Sequence, residues 1–235
     1  MASLNQLVSE IVNSVGQPNN HVLRENVKLS VIHIRNELIR HSYEQHGYVD
    51  KGLMQRYRVS LTDVLDGDIN LYEEAFSEAE CSFDDFGVDK IKRTEQQVPR
   101  PVRLTNNLPF SRVSTAGFAN NREFPFIKET SARFRSDVPG LCGMPAYDYI
   151  NGFIYIFPPK GKSLHFDSII IESAFEHPTV IDLSNGYADE LAAITDDNEW
   201  LLPEDMIGQI KDIIFKRDLL TTFRETNEIP NTIKF

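Results

Sequence analysis

The sequence predicts an α+β chain with an N-terminal helical pair, a Pro-rich antiparallel β domain, a late C-terminal helix and an extended tail. Three observations carry that prediction. Apolar residues recur at helical spacing from Leu4 to Leu38. Pro99, Pro101, Pro109 and Pro125 then exclude long helices, while Asn151-Gly152 joins two runs rich in aromatic and β-branched residues. Finally, Pro203-Glu204-Asp205 opens a second helical stretch. With 235 residues and 41% hydrophobic content, the chain can bury a real core, as one large domain or two small ones.

Leu4, Leu7, Val8, Ile11, Val12 and Val15 trace one helical stripe that stops at Gly16-Gln17-Pro18-Asn19-Asn20. Leu23, Val27, Val31, Ile34 and Leu38 define a longer helix, closed by Gly47. Ile32 and Ile39 widen its apolar surface, so it should pack against more than its short neighbour; a subunit contact is one candidate. Met54 to Leu61 reads as a strand and Asp66-Gly67-Asp68 as a turn. Tyr147 to Phe157 reads as a tight hairpin, Pro158-Pro159-Lys160-Gly161 as a turn, and Leu164 to Phe175 as a third strand, together an antiparallel meander. Met206, Ile207, Ile210, Ile213, Ile214, Phe215 and Leu219 give the late helix its apolar face. The expected divisions are a helical hairpin over 1–50, a β-rich domain with acidic and basic loops over 51–200, a helix over 201–224 and an extended tail over 225–235.

The net charge of −11 argues against a protein that grips nucleic acid, which needs clustered Lys and Arg to neutralise phosphates. No apolar run is long enough to cross a membrane, and the first residues lack the pattern of a signal peptide. Cys81 and Cys142 sit in dissimilar contexts without metal spacing, and read as free thiols in a reducing compartment. Charge is distributed in blocks: acidic from Asp63 to Asp89, basic from Lys90 to Arg135, and acidic again from Asp182 to Asp205. Alternating signs suit copies that meet unlike face to unlike face, although ordinary solvated faces explain them equally well.

Catalytic patterns fail on spacing. Lys160-Gly161-Lys162-Ser163 copies the end of a phosphate-binding loop, but Ile156 stands where that loop needs glycine and a strand follows instead of a helix. His33, Glu37 and His41 share a helical line, which reads better as a polar row than as a metal site. Asp63, Asp66, Asp68 and Asn70 depart from the calcium-loop pattern. Cys142 with His165 or His177 has no motif to support a nucleophile. Phe110, Phe124 and Phe126 among the arginines could stack on bases or sugars, but anchors of a β core are the simpler reading.

The opening Leu4-Asn5-Gln6-Leu7-Val8, the Gln17-Pro18-Asn19-Asn20 break and Arg35-Asn36-Glu37-Leu38-Ile39-Arg40 resemble the start of neck proteins from crAss-like tailed bacteriophages. So do Arg93-Thr94, Val98-Pro99-Arg100-Pro101-Val102-Arg103-Leu104, Pro109-Phe110, the Asn-Gly hairpin, Phe175-Glu176-His177-Pro178 and Leu201-Leu202-Pro203-Glu204-Asp205-Met206-Ile207. The resemblance covers most of the chain in order, through short and degenerate blocks. It implies a structural virion protein, not an enzyme, with no cofactor or metal: a ring-forming subunit of the head-to-tail connector below the portal, lining part of the channel for DNA packaging, retention and ejection. It further implies a homo-oligomer, a dodecamer like the portal, neighboured by the portal protein or other neck and tail rings. Genomic DNA would be passing cargo and no membrane would be involved. Such a protein would be assembled in the host bacterial cytoplasm and reside in the virion neck or tail region.

On that reading Arg93, Arg100, Arg103 and Arg112 of one subunit face acids such as Asp84, Asp85, Asp196 and Asp197 of the next, and Ile229, Ile233 and Phe235 form a tail that docks on a partner. The competing class is a β-rich virion binding module, fibre-attached or carbohydrate-binding.

Overall fold

A computed structural model describes residues 3–65, 90–106, 108–116, 122–128, 143–159, 161–177, 197, 200 and 202–219. The Asp66-Gly67-Asp68 turn, both cysteines and the 225–235 tail lie outside these residues. The chain divides into two compact units, one from Met1–Leu53 with Ile194–Phe235, the other Met54–Ala193.

The first unit is helical. Helix α1 spans Leu4–Ser14, where the Ser3 side chain accepts from the Gln6 amide at 3.1 Å, satisfying one of the orphan donors at the helix start. Helix α2 spans His21–His46; Asn20 caps it by accepting from the Leu23 amide at 3.0 Å, and Gly47 ends it in the left-handed region at φ 77°. Helix α3 spans Glu204–Ile214, with Glu204 and Asp205 in its first turn beside the positive end of the dipole, and a π-helical turn follows over Phe215–Leu219. Of the helix expected over 201–224, α-helical hydrogen bonding runs to Ile214 and the π-helical turn to Leu219, while 220–224 lie outside the described residues.

Helix α2 packs against both α1 and α3, so its wide apolar surface has two partners within the chain. Leu7, Val8, Ile11 and Val12 of α1, Val31, Ile34 and Ile39 of α2, and Ile210 and Ile214 of α3 are all buried. Removing each from water stabilises the unit by roughly 1.5–3 kcal/mol before entropy is counted. Polar ties surround this core: Lys211 meets Glu10 at 2.6 Å, Arg217 meets Glu37 at 3.1 Å, and Arg24 donates to Ser9 at 2.8 Å. The Lys211 hydrogen bond holds the Glu10 carboxyl below its ordinary range. Arg35 is fully buried, with its guanidinium 5.7 Å from the centre of the Trp200 ring.

The second unit is one six-stranded antiparallel sheet. Its strands are β1 (Gln55–Leu65), β2 (Lys90–Thr94), β3 (Arg112–Thr115), β4 (Ala146–Ile150), β5 (Phe153–Phe157) and β6 (Ser168–Ser173). The β4–β5 hairpin forms as its Asn-Gly turn demands: Asn151 and Gly152 both take positive φ, 51° and 88°, the requirement of a type I′ turn. The expected meander stops there, because β6 does not pair with β5. The sheet order is β3-β6-β1-β2-β5-β4, so the third strand crosses to the far side of β1. Strand β1 also runs to Leu65, beyond the expected Leu61, because its two halves have different partners. Residues Gln55–Ser60 pair with β6 and Leu61–Leu65 with β2.

The outer strands of that order, β3 and β4, are linked through 122–128. On one side the Phe124 amide donates to the Val113 carbonyl at 2.8 Å and the Thr115 amide to the Arg122 carbonyl at 3.2 Å. On the other, the Tyr147 amide donates to the Pro125 carbonyl at 3.0 Å and the Ile127 amide to the Tyr147 carbonyl at 2.9 Å. Hydrogen bonding therefore runs full circle, and the sheet is a small closed barrel.

Directly opposed residues of an antiparallel pair share a face, so the registers assign the interior. Tyr57 opposes Ile171, which opposes Val113; Ile156 opposes Tyr147. All five are buried in one cluster with Phe110, Phe124 and Phe175, where Tyr57 and Phe175 meet at 4.6 Å between ring centres. Phe110 and Phe124 are thus core anchors, and Phe126 packs half-buried against them.

An ion pair shares that interior face. Lys92 opposes Asp63 and Ile156, is 6% exposed, and its Nζ lies 3.2 Å from Asp63 and 2.8 Å from Asp167. Burial alone would push this ammonium down, but the hydrogen bonds and charges of Asp167 and Asp63 outweigh it and raise it above the ordinary 10.5. Its contribution to stability is accordingly full below pH 10.5 and is lost as pH rises through the folded value. Lys92→Met removes this ammonium from Asp63 and Asp167 and should lower stability by about 1–3 kcal/mol in urea unfolding at pH 8, less than at a fully buried pair because Asp167 stays solvated. An unchanged urea midpoint would show that the pair contributes nothing.

Candidate subunit-contact groove

The barrel end that carries the β4–β5 turn opens into a groove of about 910 Å³. Its position follows from the strand that ends there. After β2 the chain stays extended, since Pro99 and Pro101 each force their predecessor away from helix. The Val98 amide donates to the Gly152 carbonyl at 2.7 Å, and the Val102 amide to the Ala174 carbonyl at 2.8 Å. The Glu176 amide donates to the Arg100 carbonyl at 2.9 Å. These bonds fix the 97–103 strip across the barrel end, with Arg100 and Arg103 exposed along it.

Across the groove stand Lys128 from the closing segment and Tyr149 from β4, while Leu108 and Pro109 supply apolar wall. Leu108 is 42% exposed, unusual for a large apolar side chain. Phe110 and Tyr149 meet edge to face at 5.1 Å, so the floor is continuous with the barrel core. Burial raises the Tyr149 phenol above its ordinary 10.0, against the opposing pull of Arg100, and Glu176 raises it further. The phenol therefore stays protonated at neutral pH, a neutral donor within the influence of Arg100. Glu176 is the one acid among the described residues of the lining. The groove as a whole is positive and half apolar, in a chain whose net charge is −11.

The sequence-predicted contact residues do not fall together. Arg100 and Arg103 share the groove. Arg112 opposes Glu172 on the outer face of β3–β6, away from it. Arg93 is buried, its guanidinium 4.3 Å from the centre of the Phe153 ring, and is engaged within its own sheet. Asp197 accepts from Asn5 at 2.7 Å inside the helical unit. Asp84, Asp85, Asp196, Ile229, Ile233 and Phe235 lie outside the described residues. Lys128, Leu108 and Tyr149 were not singled out as a site, since no local pattern links residues from separate segments.

The other motifs find structural roles or none. Glu37 of the His33-Glu37-His41 row is held by Arg217, and His41 lies 2.9 Å from Gln45. Gly161 to Ser163 sits in the loop before β6. Among the described residues no helix is long and apolar enough to cross a membrane, and no cluster of three or more His, Cys, Asp or Glu side chains is placed to hold a metal ion.

No curated protein matches the chain. A family model described as phage tail ring protein 2 matches residues 6–234, nearly the whole length. The chain belongs to the crAss-like phage tail ring protein 2 family, a structural component of the virion tail.

Proposed function

We propose that this chain is a ring-forming subunit of the phage head-to-tail connector, stacked below the portal and forming part of the channel through which DNA is packaged, retained and ejected. The observation that carries the reading is the family match over residues 6–234, which makes the chain a tail ring protein. The neck position is supported by the ordered resemblance to neck proteins from Leu4 to Ile207. The proposed assembly is a dodecamer that continues the symmetry of the portal, in contact with the portal protein or with other neck and tail rings.

Charge supports a head-to-tail joint. A ring closes only when one surface of a subunit fits a different surface of the next. Basic residues from Lys90 to Arg135 and the flanking acidic blocks supply two such surfaces on every copy. An overall charge of −11 also lets DNA pass without adhering, because phosphates are repelled by carboxylates. The 225–235 tail, carrying Ile229, Ile233 and Phe235, is the proposed lock onto a neighbour.

Two variants supplied in trans to phage lacking the native copy test these joints. Arg100→Glu with Arg103→Glu should abolish complete necks in purified particles, seen as heads without tails in negative-stain images. Normal virions from that variant would remove the charged joint. A chain ending at Thr226 should yield necks that shed tails under mild heating, whereas necks of native stability would remove the locking role of the tail.

A further inference from the structure

We infer that the basic groove is the socket for the acidic, aromatic stretch between β1 and β2 of the adjacent copy. The inference rests on the ring reading above and gives it a specific joint.

Charge complementarity is the first argument. Arg100, Arg103 and Lys128 outnumber Glu176, the single acid among the described residues of the groove. A matching occupant must carry carboxylates interleaved with apolar side chains, because the wall between the cations is formed by Leu108 and the Phe110–Tyr149 floor. The stretch 66–89 has that composition: Tyr72, Phe76, Phe83 and Phe86 alternate with acids, Phe83-Asp84-Asp85-Phe86 is its densest part, and no Lys or Arg interrupts it.

The second acidic block fits less well. Its described members are already used inside the helical unit, where Asp197 accepts from Asn5, Trp200 lies under Arg35, and Leu202 is buried. Glu204 and Asp205 occupy the first turn of α3.

The registers place the base of the stretch and the groove at opposite ends of the barrel. Leu65 and Lys90, where the stretch leaves and returns, are register partners at the barrel end opposite the β4–β5 turn. The groove lies toward the turn end, where its near wall at Gln97, Val98 and Gly152 follows β2 by three or four residues, roughly 23 Å from that point. An out-and-back excursion over 66–89 reaches about 40 Å when fully extended. Reach alone therefore admits either groove, and the cross-linking experiment separates the neighbour's from the chain's own. The joint then uses one end of one barrel and the other end of the next, the heterologous contact from which rings are built. Among the described strands β3 and β4 are already linked through 122–128, which favours side-chain recognition in the groove over strand pairing there.

The test uses the full chain and a fluorescent synthetic peptide spanning Leu71 to Asp89, followed by anisotropy. Saturable binding is expected, weakened about tenfold or more by Arg100→Glu with Lys128→Glu, by Asp84→Lys with Asp85→Lys in the peptide, and by raised salt. No binding, or binding indifferent to the groove variant, overturns the inference. To separate neighbour from self, Leu108→Cys is combined with Phe83→Cys in a chain whose Cys81 and Cys142 are replaced by Ser. Oxidation should give a ladder of multimers on non-reducing gels. A bond confined to single chains, or none, overturns the between-copies joint. Ring formation is read separately by negative-stain imaging. Rings that persist when the groove variant and the cross-link both fail leave the ring reading standing without this joint, while peptide binding and multimer ladders without closed rings support the joint and count against the ring.

Discussion

The described structure of the β unit depends on the closure of one sheet. An open sheet offers unpaired amides and carbonyls along two edges, and each edge invites pairing with another chain. Here the segment 122–128 binds β3 through Val113 and Thr115 and β4 through Tyr147, so the two outer strands are linked to each other. Closure turns Tyr57, Val113, Tyr147, Ile156 and Ile171 toward a common interior, where they pack with Phe110, Phe124 and Phe175. It also fixes the order of everything attached. The β4–β5 turn and the 97–103 strip fall at one end, and the points where 66–89 leaves and returns fall at the other.

That arrangement suits a protein whose family role is to form part of a ring in a phage tail. Assembly from identical copies requires discrimination between the intended contact and indiscriminate strand pairing, and closing the barrel suppresses the latter. Recognition then falls to side chains. Exposed cations along Arg100, Arg103 and Lys128 bring long-range attraction, and the apolar wall at Leu108 brings burial once the partner is seated. The Lys92 pair with Asp63 and Asp167 is a different use of charge: it lies on the interior face, where it ties β1 and β2 to the start of β6.

Much of this was legible in the sequence wherever the governing interaction is local. Asn20 and Gly47 bracket α2 as cap residues do, and Asn151-Gly152 specified the hairpin because few other pairs tolerate two consecutive positive φ values. The α+β class followed from periodicity and proline placement. Strand pairing was not legible. Ile169 to Ile171 announce a strand but carry nothing that names its partner, so proximity to β5 suggested a meander and the real neighbours, β1 and β3, lie far away in sequence. Pro125 excluded a long helix from the closing segment but could not name its partners, and only its carbonyl is needed for the bond to Tyr147. The groove was half legible: Arg100 and Arg103 share the 97–103 strip, whereas Lys128, Leu108 and Tyr149 meet them only through the fold. Arg93 is placed differently from these cations. A strand turns successive residues to opposite faces, and the face it occupies is covered and backed by Phe153.

The most direct measurement is a cryo-EM reconstruction of the neck from virions of the source phage, calculated without imposed capsid symmetry. The expected result is a closed ring of this chain around the DNA channel below the portal, each basic groove covered by the adjacent subunit. Density for the chain confined to tail fibres or the capsid surface, or a ring whose grooves all face solvent, would contradict it.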